Sequence, residues 1–142
     1  LIQHMVGSGV PVMGHLGLTP QSVNQFGGFK VQGKSAADQA RIIEEAKTLE
    51  ALGCFAVVLE CVPDALTQEL VKNISMISIG IGAGAAVDGQ VLVMQDMLGY
   101  SSQFSPKFLR RYLNTEQLFL DAFNAFAKDV QGGQYPDESE QY

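Results

Sequence analysis

The chain has 142 residues, 46% of them hydrophobic, and a net charge of −6, which suits one globular domain. Its nine Lys and Arg residues are scattered singly or in pairs, which argues against binding to nucleic acid or to an anionic membrane surface. No apolar run approaches the ~20 residues that a membrane helix requires, and the first residues lack the features of a secretory signal.

In chain order, the apolar pattern alternates between helix and strand. The predicted helices are at residues 1–6, 35–52, 63–73 and about 115–131, with a short one from Ser105. The predicted strands are four apolar runs, at about residues 10–16, 54–60, 76–82 and 90–96. Ser35 and Asp38 have the spacing of a capping box where the second helix starts. The phenylalanines of the last helix recur regularly enough to predict a core position, and residues 132–142 predict a loose polar tail.

The two cysteines, Cys54 and Cys61, lie at an odd offset in a segment that predicts a strand. Because side chains alternate between the faces of a strand, the two thiols are expected on opposite faces. This arrangement excludes a disulfide between them and a zinc site that uses both. Two buried free thiols indicate a reducing compartment, so we predict a cytoplasmic protein.

The fold class follows from the kind of strand. Most of the predicted strands are continuous apolar runs, which are typical of strands covered on both faces. Alternation of such strands with helices predicts an α/β fold built from parallel units. Either a doubly wound sheet or part of a (β/α)8 barrel fits this pattern, although a complete barrel usually takes about 250 residues.

Glu60 ends the apolar run "FAVVLE". An ionised carboxylate at the end of a buried strand is costly unless it is paired or used in chemistry. Strand alternation places Glu60 on the same face as Ala56 and Val58. Val57 and Leu59 lie on the opposite face, and that opposite face is the one that we expect the helices to cover. In both candidate folds active sites form at the carboxyl ends of the strands, where a carboxylate can act as a general base. From the residues alone, a catalytic base and a structural ion pair are equally open interpretations.

His15, in "VMGHLGL", is predicted at the carboxyl end of the first strand, on the same rim as Glu60 and one strand away. A single histidine is more often a hydrogen-bonded core residue than a catalytic group. The shared rim strengthens the functional interpretation of His15 without deciding between the two.

Three further patterns have both a functional and a structural interpretation. The loop "GIGAGA" matches a dinucleotide fingerprint in its letters, but it lacks the helix which that motif requires, so it predicts a rim loop and no NAD site. Lys30 and Lys34 lie in a glycine-rich loop that could close over an anionic substrate, although a solvated surface loop is the stronger interpretation. Asp88 and Asp96 flank the fourth predicted strand and are expected to be caps or turn residues rather than metal ligands.

Three long segments together resemble the ketopantoate hydroxymethyltransferase family. They are "PVMGHLGLTPQSVNQFGGFKVQGK", "FAVVLECVP" and "IGIGAGAAVDGQVLVMQDMLG". The resemblance implies a (β/α)8 TIM barrel related to phosphoenolpyruvate mutase and isocitrate lyase. It makes residues 1–142 the C-terminal portion of that barrel, with the four predicted strands as the last four of eight.

The resemblance also implies an activity, in which a hydroxymethyl group passes from 5,10-methylenetetrahydrofolate to 2-oxoisovalerate and gives ketopantoate for pantothenate synthesis. It implies Mg2+ as the metal and a decameric homo-oligomer in the cytoplasm. Glu60, in "LECVP", matches the family's catalytic base, which would take the C3 proton of 2-oxoisovalerate to form a metal-stabilised enolate. His15, in "GHLGL", matches a histidine that lines the substrate pocket.

In the family, the metal-binding carboxylates lie in the first half of the barrel, which this sequence does not contain. We therefore expect the chain to be part of a longer enzyme, to be inactive alone and to contain no metal ligand. Half of a barrel would also leave two sheet edges open. Two alternatives are a carbon–carbon lyase of the phosphoenolpyruvate mutase and isocitrate lyase group, and a non-catalytic half-barrel that acts as an interaction partner.

Overall fold

The structure, a computed structural model, describes residues 1–25, 27–100, 103 and 105–142. These residues form two compact units, Leu1–Val91 and Leu92–Tyr142. Within the described part of the chain, no helix has both the length and the apolar character needed to cross a membrane.

The first unit contains helices and parallel strands in alternation. Its elements are α1 (Ile2–Gly7), β1 (Met13–Gly17), α2 (Ala36–Ala51), β2 (Ala56–Glu60), α3 (Asp64–Leu70), β3 (Ile77–Ile81) and β4 (Gly89–Gln90), with 3-10 turns at Pro20–Ser22 and Val71–Asn73. The four strands form one sheet in the order β1-β2-β3-β4, and every neighbouring pair is parallel. The predicted α/β class with a parallel sheet is therefore confirmed.

The fourth predicted strand is largely wrong. The runs at 10–16, 54–60 and 76–82 each contain a strand, but β4 has only two residues, and Met94–Met97 of the run at 90–96 form the short helix α4. The β-branched residues of this run end at Val93, and the Met and Gln residues that follow have a higher helix propensity.

The core of the first unit lies between one face of the sheet and helices α2 and α3. Val57 and Leu59 of β2 are completely buried there. Burial of an apolar side chain of this size contributes about 1.5–3 kcal/mol to the free energy of folding. The other buried members of this cluster are Ile42, Ala46, Cys54, Val62, Leu66, Leu70, Met76 and Ala83. The predicted assignment of faces is confirmed, because the helices cover the face of Val57 and Leu59. We call this the outer face.

The opposite, inner face of the sheet carries apolar side chains that are only partly covered. The strand register sets Met13, Ala56 and Ile77 side by side across β1, β2 and β3. Ala56 is buried, but Met13 is 43% and Ile77 is 53% exposed. Val58 and Ile79, one step further along the strands, are half-buried. The inner face therefore presents apolar surface within the first unit.

Ser35 begins α2 as predicted. Its hydroxyl oxygen accepts a hydrogen bond from the Asp38 N–H (3.1 Å), and its O–H donates to the Asp38 carboxylate (2.7 Å). The helix ends just before Gly53, whose φ of +90° lies in the region that glycine favours.

The connection between β3 and β4, residues 82–88, contains no helix, in agreement with the rim loop predicted for "GIGAGA". Gly80 leaves room for this segment on the outer face, since a Cβ atom there would lie 3.0 Å from the Val87 side chain. Asp88 then fixes the end of the connection, because its Oδ2 accepts hydrogen bonds from the N–H (2.8 Å) and the hydroxyl (2.7 Å) of buried Ser78. The predicted structural role of Asp88 is confirmed.

The second unit contains α4, the helix α5 (Thr115–Gln131) and a 3-10 turn at Glu138–Glu140. The short helix predicted from Ser105 is wrong, and a single turn closed by the Leu109 N–H on the Pro106 carbonyl (3.0 Å) occupies that place. The predicted loose tail contains the 3-10 turn, which a capping box of Asp137 and Glu140 closes.

The prediction that the phenylalanines of α5 form core is also wrong. Phe119, Phe123 and Phe126 are 42%, 71% and 54% exposed. Two of them make edge-on contacts, Phe119 with Tyr100 and Phe126 with Tyr135, with ring centroids 5.3 Å and 5.2 Å apart. Helical spacing indicates that one face of α5 is apolar, but it does not specify what covers that face.

The Ser35 cap gives a first testable prediction. Ser35→Ala removes the acceptor for the Asp38 N–H and should lower the free energy of unfolding by about 1 kcal/mol, measured by urea denaturation. Ser35→Thr keeps a hydroxyl acceptor and serves as the matched control. Equal stability of the alanine variant and the parent chain would show that the cap contributes nothing.

The Asp88 contact predicts a pH dependence. Its hydrogen bonds from Ser78, the backbone N–H first and the hydroxyl second, hold the pKa of Asp88 below its usual 3.8. Because the folded pKa is the lower one, the stabilisation is complete at pH values above about 4 and is lost as the pH falls through the folded pKa. Asp88→Asn should therefore lower stability at pH 7, and the difference from the parent chain should shrink below pH 3.8.

The measurement is urea denaturation as a function of pH, with Asp121→Asn on α5 as the control carboxyl-to-amide change. A difference between Asp88→Asn and the parent chain that stays constant from pH 7 to pH 3 would contradict this assignment.

Candidate active site

The two candidate residues come from neighbouring parallel strands at the same rim. Glu60 is the last residue of β2, and its register partner on β1 is Gly17. His15 lies two residues before Gly17 and is the register partner of Val58. Because directly paired residues of a sheet share a face, His15, Val58 and Glu60 all belong to the inner face.

The structure brings His15 and Glu60 into direct contact. The distance from His15 Nε2 to Glu60 Oε2 is 3.0 Å, and the two side chains are 33% and 22% exposed. An ionised carboxylate can only accept a hydrogen bond, so His15 Nε2 carries the hydrogen when Glu60 is ionised. The pair therefore forms a half-buried, charge-assisted contact that a molecule at the rim can still reach.

The backbone at Glu60 is also held, by a hydrogen bond and by close packing. The Glu60 carbonyl accepts a hydrogen bond from the Leu18 N–H (2.9 Å). Gly17 lies against the same carbonyl with a φ of +90°, and a Cβ atom at Gly17 would overlap the Glu60 carbonyl oxygen. Glycine is therefore required at position 17 by both the backbone conformation and the close approach.

Cys61, directly after Glu60, has a left-handed backbone conformation with a φ of +50°. Its N–H donates to the Ile81 carbonyl (2.9 Å), and its carbonyl accepts from the Gln32 N–H (2.9 Å). Burial, and secondarily the charge of Glu60, raise the pKa of the Cys61 thiol. Both Cys61 and Cys54 are free thiols, so the prediction of no disulfide between them is confirmed.

A cavity of about 350 Å3 adjoins His15. Polar side chains on its wall include Thr19, Ser22, Gln25 and Arg41. The Arg41 guanidinium already forms an ion pair with Glu45 (2.7 Å). The cavity is of a size that accommodates small molecules, and its wall is rich in hydrogen-bonding groups.

The remaining candidates have other partners or belong to other elements. Lys30 and Lys34 are exposed on the loop between β1 and α2, as a solvated surface loop predicts, and Gln32 between them joins this loop to Cys61. Asp88 binds Ser78, and Asp96 lies in the first turn of α4, in the second unit. The described residues contain no group of three or more His, Cys, Asp or Glu side chains that could hold a metal ion.

The roles of Gly17 and Cys61 were not among the predictions from the sequence. A signal was present for Gly17, because a glycine at the end of a strand is typical of a close approach of backbone. Cys61 carried none, since cysteine is not a residue type that marks a left-handed conformation.

Comparison with known proteins identifies a family and similar proteins. Residues 1–138 match the family described as ketopantoate hydroxymethyltransferase. A 3-methyl-2-oxobutanoate hydroxymethyltransferase of Francisella tularensis subsp. novicida is 48% identical over 142 residues, which is all of this chain and 54% of that protein. Proteins of the same name from Syntrophus aciditrophicus and Legionella pneumophila are 50% and 48% identical, over 99% and 95% of this chain and 52% of each relative.

The chain thus spans about half the length of the curated relatives that it matches, while the match covers almost every one of its own residues. The expected resemblance is confirmed by both comparisons, and the chain belongs to the ketopantoate hydroxymethyltransferase family.

Proposed function

We propose that this chain supplies Glu60 and His15 to a hydroxymethyl transfer from 5,10-methylenetetrahydrofolate to 2-oxoisovalerate that gives ketopantoate. The observation that carries the proposal is the 3.0 Å contact between these two side chains at the carboxyl rim of a parallel sheet. Membership of the family supports ketopantoate as the product.

Glu60 acts as the general base in this proposal. Its free carboxylate oxygen takes the proton from C3 of 2-oxoisovalerate, and the electron pair of the C–H bond moves toward the neighbouring carbonyl to give an enolate. C3 of the enolate then forms a bond to the methylene carbon of the folate, and a hydroxyl from water forms the second new bond of that carbon, so that both of its bonds to folate nitrogens break. The proton held by Glu60 and the second proton of the water pass to the two nitrogens. The products are ketopantoate and tetrahydrofolate.

His15 orients the base. Its Nε2–H holds one carboxylate oxygen of Glu60, which leaves the other oxygen for the substrate proton. As a half-exposed side chain on the inner face, His15 also lines the place where the substrate would lie.

Mg2+, which the resemblance implies, would stabilise the charge of the enolate when bound. The described residues do not fit such a site, because they include no cluster of three carboxylate, imidazole or thiolate ligands. We therefore propose that the metal ligands belong to the part of the relatives that this chain does not span, and we derive no step of this chain through the metal.

We also propose that the chain is the second half of a (β/α)8 barrel and does not complete the reaction alone. The four parallel strands in sequential order fit this arrangement, and the open apolar inner face, with Met13 and Ile77 about half exposed, is the surface that the other strands of a barrel would enclose. The span of about half of each relative supports the same conclusion.

A cytoplasmic homo-oligomer, decameric by resemblance, completes the proposal. The exposed apolar side chains of α5, such as Phe123 and Phe126, are of the kind that association of subunits covers. Sedimentation velocity of the Francisella relative with its aligned residues replaced by this chain would test the oligomer, and a strictly monomeric species at high concentration would count against it.

The base assignment predicts the behaviour of Glu60→Gln. The experiment uses the Francisella relative with its aligned residues replaced by this chain, and follows deuterium exchange at C3 of 2-oxoisovalerate by NMR, with Mg2+ and without folate. Glu60→Gln should slow exchange by about 10²- to 10⁴-fold, because the amide cannot accept the proton. Glu69→Gln, an exposed carboxyl on α3, is the matched control and should exchange at the parent rate.

Each alternative has its own outcome in this experiment. Exchange that survives Glu60→Gln would place the base elsewhere. Exchange without ketopantoate formation after addition of 5,10-methylenetetrahydrofolate would favour the carbon–carbon lyase, and no exchange in the parent chimera would favour a non-catalytic half-barrel. The 142-residue chain alone should show no exchange.

The hydrogen bond itself predicts a spectroscopic result that does not depend on activity. The chain contains two histidines, His15 at the rim and His4 on α1, so selective 15N-histidine labelling gives two assignable rings. With Glu60 ionised, His15 should show the tautomer with hydrogen on Nε2. Glu60→Gln should shift the His15 ring signals and leave those of His4 in place, and unchanged His15 signals would contradict the contact.

A further inference from the structure

We propose that Cys61 is a positioning residue, whose left-handed backbone turn holds the Glu60 carboxylate against His15. The inference rests on the proposed function only in that it treats Glu60 as the base. The contact between Glu60 and His15 is present in the structure whatever reaction the rim performs.

The conformation of Cys61 is the first observation. Among the described residues, Cys61 is the only non-glycine residue with a positive φ. The left-handed region is unfavourable for a residue with a Cβ atom, and it persists only where the surrounding structure determines it. Such positions cluster at functional sites, and this one is directly bonded to the candidate base.

The hydrogen bonds around Cys61 show what determines it. The Cys61 N–H donates to Ile81 at the end of β3, and the Cys61 carbonyl accepts from Gln32 in the loop after β1. The Glu60 carbonyl accepts from Leu18 at the end of β1. Three segments therefore hold the two peptide units that flank the Cys61 Cα atom, the first of which directly follows Glu60.

The turn at Cys61 also places the residues before and after it, Glu60 and Val62, on different faces of the sheet. Glu60 lies on the inner face, while Val62 is only 3% exposed and belongs to the core beneath the helices. The left-handed residue between them allows the chain to leave β2 toward Pro63 and α3 without rotating Glu60 away from His15. Position 61 therefore couples the end of the strand to the direction of the carboxylate.

The thiol itself has no part in this role. Burial and the nearby charge of Glu60 raise the pKa of Cys61, so the group is a neutral thiol at neutral pH and a poor nucleophile. A neutral group next to the base adds no charge that would compete for His15. What position 61 supplies is its backbone conformation.

The test separates the backbone from the thiol. Cys61→Ala removes the thiol and keeps an unbranched side chain, and Cys61→Asn tolerates a positive φ, so both should retain the His15 ring 15N signals of the parent chain. Cys61→Val is β-branched and resists this conformation, so it should shift the His15 signals and slow C3 exchange by about ten- to a hundredfold in the chimera. Cys54→Val, the same change at the buried cysteine before β2, is the matched control and should alter neither.

A second pair of variants covers the case in which Cys61→Val does not fold. Gln32→Pro removes both the Gln32 side chain and the backbone N–H that donates to the Cys61 carbonyl. Gln32→Ala removes the side chain but keeps that N–H, and it is therefore the control. The proline variant alone should shift the His15 signals.

Two results would overturn the proposal. One is a folded Cys61→Val with the parent His15 signals and exchange rate, and the other is loss of exchange in Cys61→Ala with His15 unmoved, which would assign the role to the thiol. Failure of the proposed function is distinguishable, since it would appear as exchange that Glu60→Gln does not affect while the His15 signals still respond to Cys61→Val.

Discussion

The parallel register of β1 against β2 is the constraint on which the rim depends. It sets Gly17 opposite Glu60 and His15 opposite Val58, so that a histidine and a carboxylate from different strands reach each other at 3.0 Å. A slip of one residue would turn the His15 side chain to the outer face, under the helices. The lack of a side chain at Gly17 is part of the same constraint, because the Glu60 carbonyl occupies the space that a Cβ atom would need.

Burial of the outer face fixes this register in turn. Val57 and Leu59 are enclosed by α2 and α3. Because side chains alternate along a strand, Glu60 then has to lie on the opposite, inner face. The buried apolar cluster thus lies on the outer face of the sheet, while the contact between His15 and Glu60 lies on the inner face.

Sequence patterns predicted the parallel α/β unit because apolar runs and caps are local features, as the Ser35 cap and the strand that ends at Glu60 illustrate. They also placed His15 and Glu60 on one rim, since the carboxyl ends of parallel strands meet there. They could not predict the contact between the two side chains, which depends on register, nor the turn at Cys61, which depends on hydrogen bonds from three distant segments. The error over the phenylalanines of α5 has a related cause, because an apolar face in a sequence does not identify its partner.

The helix-free connection between β3 and β4 has a thermodynamic consequence. Where α2 and α3 cover the sheet, stability comes from apolar burial, which carries a large heat-capacity change and weakens on cooling. Near β4 the sheet is fastened by the hydrogen bonds between Asp88 and Ser78, which bury little apolar surface and contribute little to the heat capacity of unfolding. On cooling, the edge of the sheet at β4 therefore loses a smaller part of its stabilisation than the region that α2 and α3 cover.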